Sequence, residues 1–207
     1  MRRDFYRDQL SAAAFYKLLT ATVVPRPIAW VASRSESGVD NLAPHSFFTV
    51  ASTDPPVIQF TSVGEKDSLR NIRATGEFTV NLTPEDLFER VNATGTAFSP
   101  KTSEFEAAGL RREPSTFVRA PRVHESPVAL ECRLHSLIPV GNCTLVLGEV
   151  VHAAISEQVL DGDHPRVDLL KPLSRLGRNE WGTLGEVRQI NRIRLEDWPG
   201  DFPVDTP

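Results

Sequence analysis

Basic residues do not dominate this chain. Its 207 residues carry 23 Lys and Arg against 27 Asp and Glu, a formal net charge of −4. No general positive field is available for a phosphate backbone, which excludes nucleic acid as the main partner. Cysteine is scarce as well: Cys132 and Cys143 are the only two, too few for a disulfide scaffold or a cysteine-rich zinc site. No apolar run approaches the roughly 18–20 residues that a membrane helix needs. Met1-Arg2-Arg3-Asp4-Phe5 has two arginines with no apolar segment behind them, unlike a secretory signal. These absences lead to the expectation of a reduced, cytoplasmic protein. With 40% hydrophobic and 24% charged residues, the chain can build a core, and its length suits one domain over 1–207.

The familiar catalytic signatures are missing too. His45, His124, His135, His152 and His164 form no HExxH pair and no close metal-ligand spacing, so no metal is expected. There is no Gly-x-Ser-x-Gly elbow, Walker loop or Rossmann glycine fingerprint. Nothing shows a protein nucleophile.

Proline, by contrast, is plentiful. The chain has sixteen, and they punctuate it into short elements that suit strands and loops better than a helical bundle. Segments 28–33, 46–52, 57–63 and 77–82 are rich in Val, Ile, Phe, Thr and Trp between turn residues and read as strands. From Val128 onward the chain alternates, with Val128, Leu130, Cys132 and Leu134 on one face and Glu131, Arg133 and His135 on the other. Gly141-Asn142 follows, then a long strand over 144–155, which together predict a hairpin with one wet face. Helices are few: one over 11–20, one capped by Asp67 or Ser68 and stopped by Gly76, one opened by Thr83-Pro84-Glu85, and a capping box at Ser103 closed by Gly109. An antiparallel barrel or sandwich with peripheral helices fits this pattern.

Two stretches gather small, polar and aromatic residues at strand ends. Asn41-Leu42-Ala43-Pro44-His45-Ser46-Phe47-Phe48 leads from a loop into a strand. Its backbone amides, small side chains and aromatic wall suit a flat heterocycle with a polar edge. Thr61-Ser62-Val63-Gly64-Glu65-Lys66-Asp67-Ser68 joins a strand end to a helix start. Free amides and an ammonium there would hold one phosphate, with Asp67 as a cap rather than a ligand. Each stretch alone also reads as an ordinary strand anchor or a solvated turn.

Taken together, the segments resemble the flavin reductase-like family of FMN-binding split barrels. The likeness runs in order through Arg26-Pro27-Ile28-Ala29-Trp30-Val31-Ala32-Ser33, Asn41 to Phe48, Asp54-Pro55-Pro56 and Lys66-Asp67-Ser68, then Gly76-Glu77-Phe78-Thr79-Val80-Asn81. It continues through Glu104-Phe105, Ala108-Gly109-Leu110, Ser126-Pro127, Gly148-Glu149-Val150-Val151 and Pro172-Leu173-Ser174-Arg175-Leu176-Gly177. About residues 15–180 are covered. The resemblance implies a mainly β fold, a six-stranded antiparallel split β-barrel that forms a homodimer with FMN near the subunit interface. It implies that Asn41, Ala43, Pro44, Ser46 and Phe47 line the flavin, with Ser62, Lys66 and Ser68 near the phosphate and Arg26 and Ser33 as further candidates. Arg175 and Trp181 would approach the flavin, from the partner chain in one arrangement. Two departures stand out: His45 replaces the usual Phe, and in the Arg-Leu-Gly-Gly-x-Tyr segment Arg178 replaces the second glycine and Trp181 the tyrosine.

The activity so implied is an NAD(P)H-dependent flavin reductase, an oxidoreductase in which the flavin carries the redox chemistry. NADH or NADPH would be co-substrate, and a monooxygenase or another acceptor would take the electrons. His45 is the one candidate for proton handling. A flavoredoxin-like electron carrier and a non-enzymatic FMN-binding dimer are the alternatives. The Pro/Gly-dense tail, 195–207, is expected to be loose or to strap across a partner.

Overall fold

Seven strands of one antiparallel sheet carry the fold in the computed structural model, in which residues 1–200 are described. They are β1 (Ala29–Arg34), β2 (Asp40–His45), β3 (Phe48–Thr53), β4 (Pro56–Val63), β5 (Glu77–Asn81), β6 (Val128–Val140) and β7 (Cys143–Ile155). Their spatial order is β2-β1-β5-β6-β7-β4-β3. The strands at the two ends of that order, β2 and β3, are separated in the chain only by Ser46 and Phe47. So short a link reaches about 7 Å per two residues, so the sheet cannot lie flat and must roll until its edges meet. The Thr61 N–H donates to the Phe47 carbonyl at 2.9 Å, carrying the β3–β4 ladder on into that link. Among the described residues no ladder joins β2 to β3, which leaves the barrel split at that seam.

The mainly β, antiparallel split barrel is therefore the fold expected, with one strand more than six. The additional strand is β2, which reads in sequence as a loop because Asn41 and Pro44 are poor strand formers. As an edge strand, β2 has a side that needs no ladder donor, and proline is tolerated there.

Strand β1 lies between two cores. Ala29 and Val31 face the barrel interior with Ile58, Phe60, Phe78, Val80, Cys132 and Val146. Trp30 and Ala32 face outward into a second cluster with Leu42, Leu87, Val91, Phe105 and Val123. Two buried faces explain why this strand reads as a continuous apolar run rather than an alternation.

The helices cover the barrel. α1 (Ala12–Thr22) is capped by Ser11, whose hydroxyl accepts from the Ala14 N–H at 3.1 Å. α2 (Asp67–Thr75) stops at Gly76, which takes the left-handed conformation at φ 72°. α3 (Phe88–Ala93) follows a short turn over Glu85–Leu87. α4 (Glu104–Ala107) begins after Ser103, but the expected capping box does not form: the Ser103 hydroxyl accepts instead from Arg112, at 2.8 Å.

The wet face expected on β6 is not uniformly wet. Glu131 is fully buried, because the segment around Thr116 and Phe117 folds over it. The N–H groups of Thr116 and Phe117 donate to its carboxylate at 2.9 and 2.6 Å, Arg122 pairs with it at 2.9 Å, and His152 lies 3.0 Å away. No helix among the described residues is long and apolar enough to cross a membrane. Of the tail, 195–200 is described and exposed; the remainder of that expectation, 201–207, lies outside the described residues.

Candidate functional site

A cleft of about 330 Å³ opens at the seam. Its wall is the end of β2 with Ser46 and Phe47, and the end of β4 and the start of α2 lie opposite; residues 94–98 and Glu104 complete it. The linkage that forces the sheet to close thus also builds the cleft.

One end is cationic. Lys66 stands just before α2, in extended backbone and exposed, where the unbonded N–H groups of the first turn also lie. Its neighbours are already paired: Asp67 with Arg70, and Glu65 with Arg73 at 2.7 Å. No ion pair engages the Lys66 ammonium among the described residues.

A polar network lies behind. Ser68 Oγ donates to Asn41 Oδ1 at 2.8 Å, Ser33 Oγ reaches the same atom at 3.4 Å, and the Asn71 amide donates to Ser33 at 3.1 Å. His45 Nε2 is 3.4 Å from Ser68 Oγ, and the ring leans on Phe60 with centroids 4.7 Å apart. Removal from water pulls the imidazole pKa down to about 4; the Thr61 backbone opposes this and the Lys66 charge reinforces it. At neutral pH the ring is uncharged.

The opposite wall is apolar, made by Phe47, which Tyr16 meets edge-on at 6.3 Å, and by Phe98. Ala43, Ser46 and Gly95 keep the cleft wide between them. At its inner side the Glu104 carboxylate accepts from the Leu42 N–H at 2.9 Å and from the Asn41 amide. Burial pushes its pKa up, and these two donors together with the Glu104 backbone N–H pull against that shift.

Of the residues singled out in the sequence, Asn41, Ala43, Pro44, His45, Ser46, Phe47, Lys66 and Ser68 come together in the cleft. Ser33 stands behind Asn41 and holds it. The others lie elsewhere in this chain. The Ser62 hydroxyl donates to the Gly64 carbonyl at 3.0 Å, within its own turn. Arg26 is buried and donates to the carbonyls of Thr20, Val23 and Leu176, clamping the end of α1, with its guanidinium 5.9 Å from the Phe47 ring. Arg175 lies over the Trp181 ring at 4.6 Å, and Trp181 packs edge-on against Phe88. Sequence reasoning missed Tyr16, Arg70 and the 94–98 segment, and gave Glu104 no role in the site. Gly95 was the available signal for that segment, whereas Glu104 entered only as part of the Glu104-Phe105 likeness to the family.

Known proteins share this architecture. The flavin reductase like domain profile matches residues 21–170. An uncharacterized protein of Aquifex aeolicus is 37% identical over 180 residues, 84% of this chain and 92% of that one. Among solved structures, nitrilotriacetate monooxygenase component B from Bacillus cereus superposes with a TM-score of 0.88 at 32% identity, over 92% of this chain and 99% of that one. The 2-nitrobenzoate 2-nitroreductase of Pseudomonas fluorescens gives a TM-score of 0.88 at 32% identity, over 96% and 100%. With the profile spanning most of the barrel and its seam cleft, this chain belongs to the flavin reductase like domain family.

Proposed function

We propose that this chain binds FMN in the seam cleft and acts as an NAD(P)H-dependent flavin reductase. It works as a homodimer and delivers reduced flavin or its electrons to a monooxygenase or another acceptor. The observation that carries the reading is the convergence of an ammonium without an ion pair among the described residues, a helix start, small residues and an aromatic wall in one cleft of a family member.

The residues present fit the cofactor. Lys66 and the first amides of α2 suit a phosphate dianion. Ala43, Ser46 and Gly95 leave room for a flat ring, and Phe47 and Tyr16 offer it an apolar surface. When bound, the flavin supplies the redox chemistry, taking up a hydride at N5 from NADH or NADPH. The chain binds, orients and screens. His45, neutral at pH 7, serves as a polar wall and holds no proton for delivery. Arg175 and Trp181, outside the cleft of their own chain, are assigned to the flavin of the second copy. The monooxygenase component and the nitroreductase, each 32% identical, support an oxidoreductase, and the former name suits a chain that serves a monooxygenase.

Anaerobic titration of the purified protein with FMN, then NADH, then NADPH, tests this reading. Bleaching of the flavin absorbance by either nucleotide at a catalytic rate is expected. FMN that binds but stays oxidised would instead make the protein a carrier reduced by another protein.

A further inference from the structure

Glu104 is the one charged side chain lining the cleft that is itself more than nine-tenths buried, at 5% exposed. A carboxylate so placed is costly unless donors reach it. An ionised carboxylate has room for about four hydrogen bonds, and the Leu42 N–H, the Asn41 amide and the Glu104 backbone N–H supply three. That leaves room for a further donor, and Glu104 lines the cleft from which one would come.

Its surroundings define what could fill it. Asn41 bonds to Glu104 on one side and to Ser68 on the other, so the carboxylate sits one side chain away from the cationic end. A phosphate there would be repelled by Glu104, and it has Lys66 and α2 to hold it. An isoalloxazine ring offers a single N–H donor on its edge and otherwise flat apolar surface, which the Phe47 side of the cleft suits. Between phosphate and ring lies the polyol, whose hydroxyls are the flavin's principal donors.

We propose that Glu104 is the polyol-binding residue of the cleft, its carboxylate accepting hydrogen bonds from the ribityl hydroxyls of the flavin. This rests on the flavin reading above and deepens it. Asn41 is then a positioning residue: with its amide donating to Glu104 and its oxygen accepting from Ser68, it fixes the distance between the phosphate end and the polyol acceptor.

Glu104→Gln separates this role from a strut that only supports β2, because the glutamine oxygen can still accept from the Leu42 N–H. Dissociation constants are measured by fluorescence titration for FMN, riboflavin and lumiflavin, the last carrying the same ring with a methyl group in place of the polyol. FMN and riboflavin should bind about tenfold more weakly to the variant, the scale of a lost charge-assisted hydrogen bond. Lumiflavin should change less than about twofold, since it brings no hydroxyl to lose. Parallel weakening of all three flavins, or no change in any, overturns the assignment. Should the variant fail to fold, the wild-type protein titrated with riboflavin and with 10-pentylflavin gives the decision: equal affinities for the two overturn it. Wild-type protein that binds none of these flavins overturns the functional reading itself, an outcome distinct from the others.

Discussion

The Ser68 hydroxyl donates to Asn41 Oδ1 at 2.8 Å, tying the first turn of α2 to the edge strand β2 beneath the cleft. Both residues are buried, and Ser33 on β1 converges on the same oxygen. Three elements distant in sequence are thereby held in one register. The α2 start, which follows Lys66 and carries the amides proposed to hold the phosphate, cannot shift relative to the β2 wall without breaking a buried hydrogen bond, at a cost of about 1–3 kcal/mol.

That fixed geometry makes Lys66 a specific test of the phosphate end. Lys66→Ala should weaken FMN binding by about tenfold, and riboflavin binding by less than about twofold, because only FMN brings the charge that the ammonium meets. Lys66 is exposed, so the fold should be unaffected. Titrating both flavins against both proteins checks this, and equal losses would move the phosphate elsewhere.

Ser46 tests the ring end. It lines the cleft within the two-residue link between β2 and β3. Ser46→Trp should abolish flavin uptake while circular dichroism and the unfolding midpoint stay near wild type. Normal flavin stoichiometry in a folded variant would place the pocket away from the seam.

Much of this site was legible because its residues fall in two contiguous stretches, 41–48 and 61–68, whose local chemistry is unusual for strand ends. What was not legible depends on closure. Tyr16, the 94–98 segment and Glu104 reach the cleft only because the barrel rolls up and the helices fold over it, and no local pattern encodes such distant approach. Arg26 shows the converse: an arginine beside the flavin motif reads as a ligand, yet α1 ends with unsatisfied carbonyls that claim its guanidinium. Glu131 misled in the same way, since alternation along β6 places it on the outer face and only the 115–118 segment makes that face dry. The strands themselves were recoverable except β2, where proline and asparagine mask an edge strand.

His45 gives the cleft a measurable pH response. Its folded pKa, about 4, lies below the ordinary 6.5, so the unfolded chain binds more protons than the folded one between those values. Stability from this group is therefore complete above about pH 6.5 and is lost as the pH falls toward 4. His45→Asn, which cannot titrate, should flatten that part of the profile. The raised pKa of Glu104 acts in the opposite sense, so the comparison is made as the difference between wild type and variant in urea denaturation from pH 4 to 8. Parallel profiles would show that His45 is not held neutral.

Arg122 tests the buried cluster on the far side of β6. Its guanidinium pairs with fully buried Glu131 at 2.9 Å and with Glu113 at 3.1 Å. Burial by itself would raise the Glu131 pKa, but the Thr116 and Phe117 amides, Arg122 and His152 together bring it below the usual range. Arg122→Met leaves that carboxylate without its permanent cation, and should cost about 3–5 kcal/mol. A loss under about 1 kcal/mol, the range of an exposed pair, would mean that the two backbone donors and His152 suffice.

Arg178 offers a gain rather than a loss. It is one of two non-glycine residues in the left-handed region among the described residues, at φ 52°, a conformation that costs an L-residue about 1–2 kcal/mol. The contact that the turn makes through this residue uses its backbone: the Arg178 carbonyl accepts from Arg175 at 3.0 Å, and glycine retains that acceptor. Part of the relief is offset because glycine also frees the unfolded chain. Arg178→Gly should therefore stabilise the protein by about 0.5–1 kcal/mol, read as a higher urea midpoint at unchanged slope. A lower midpoint would show that the exposed guanidinium contributes more than the strained backbone costs, and would direct attention to what that side chain meets in the proposed dimer.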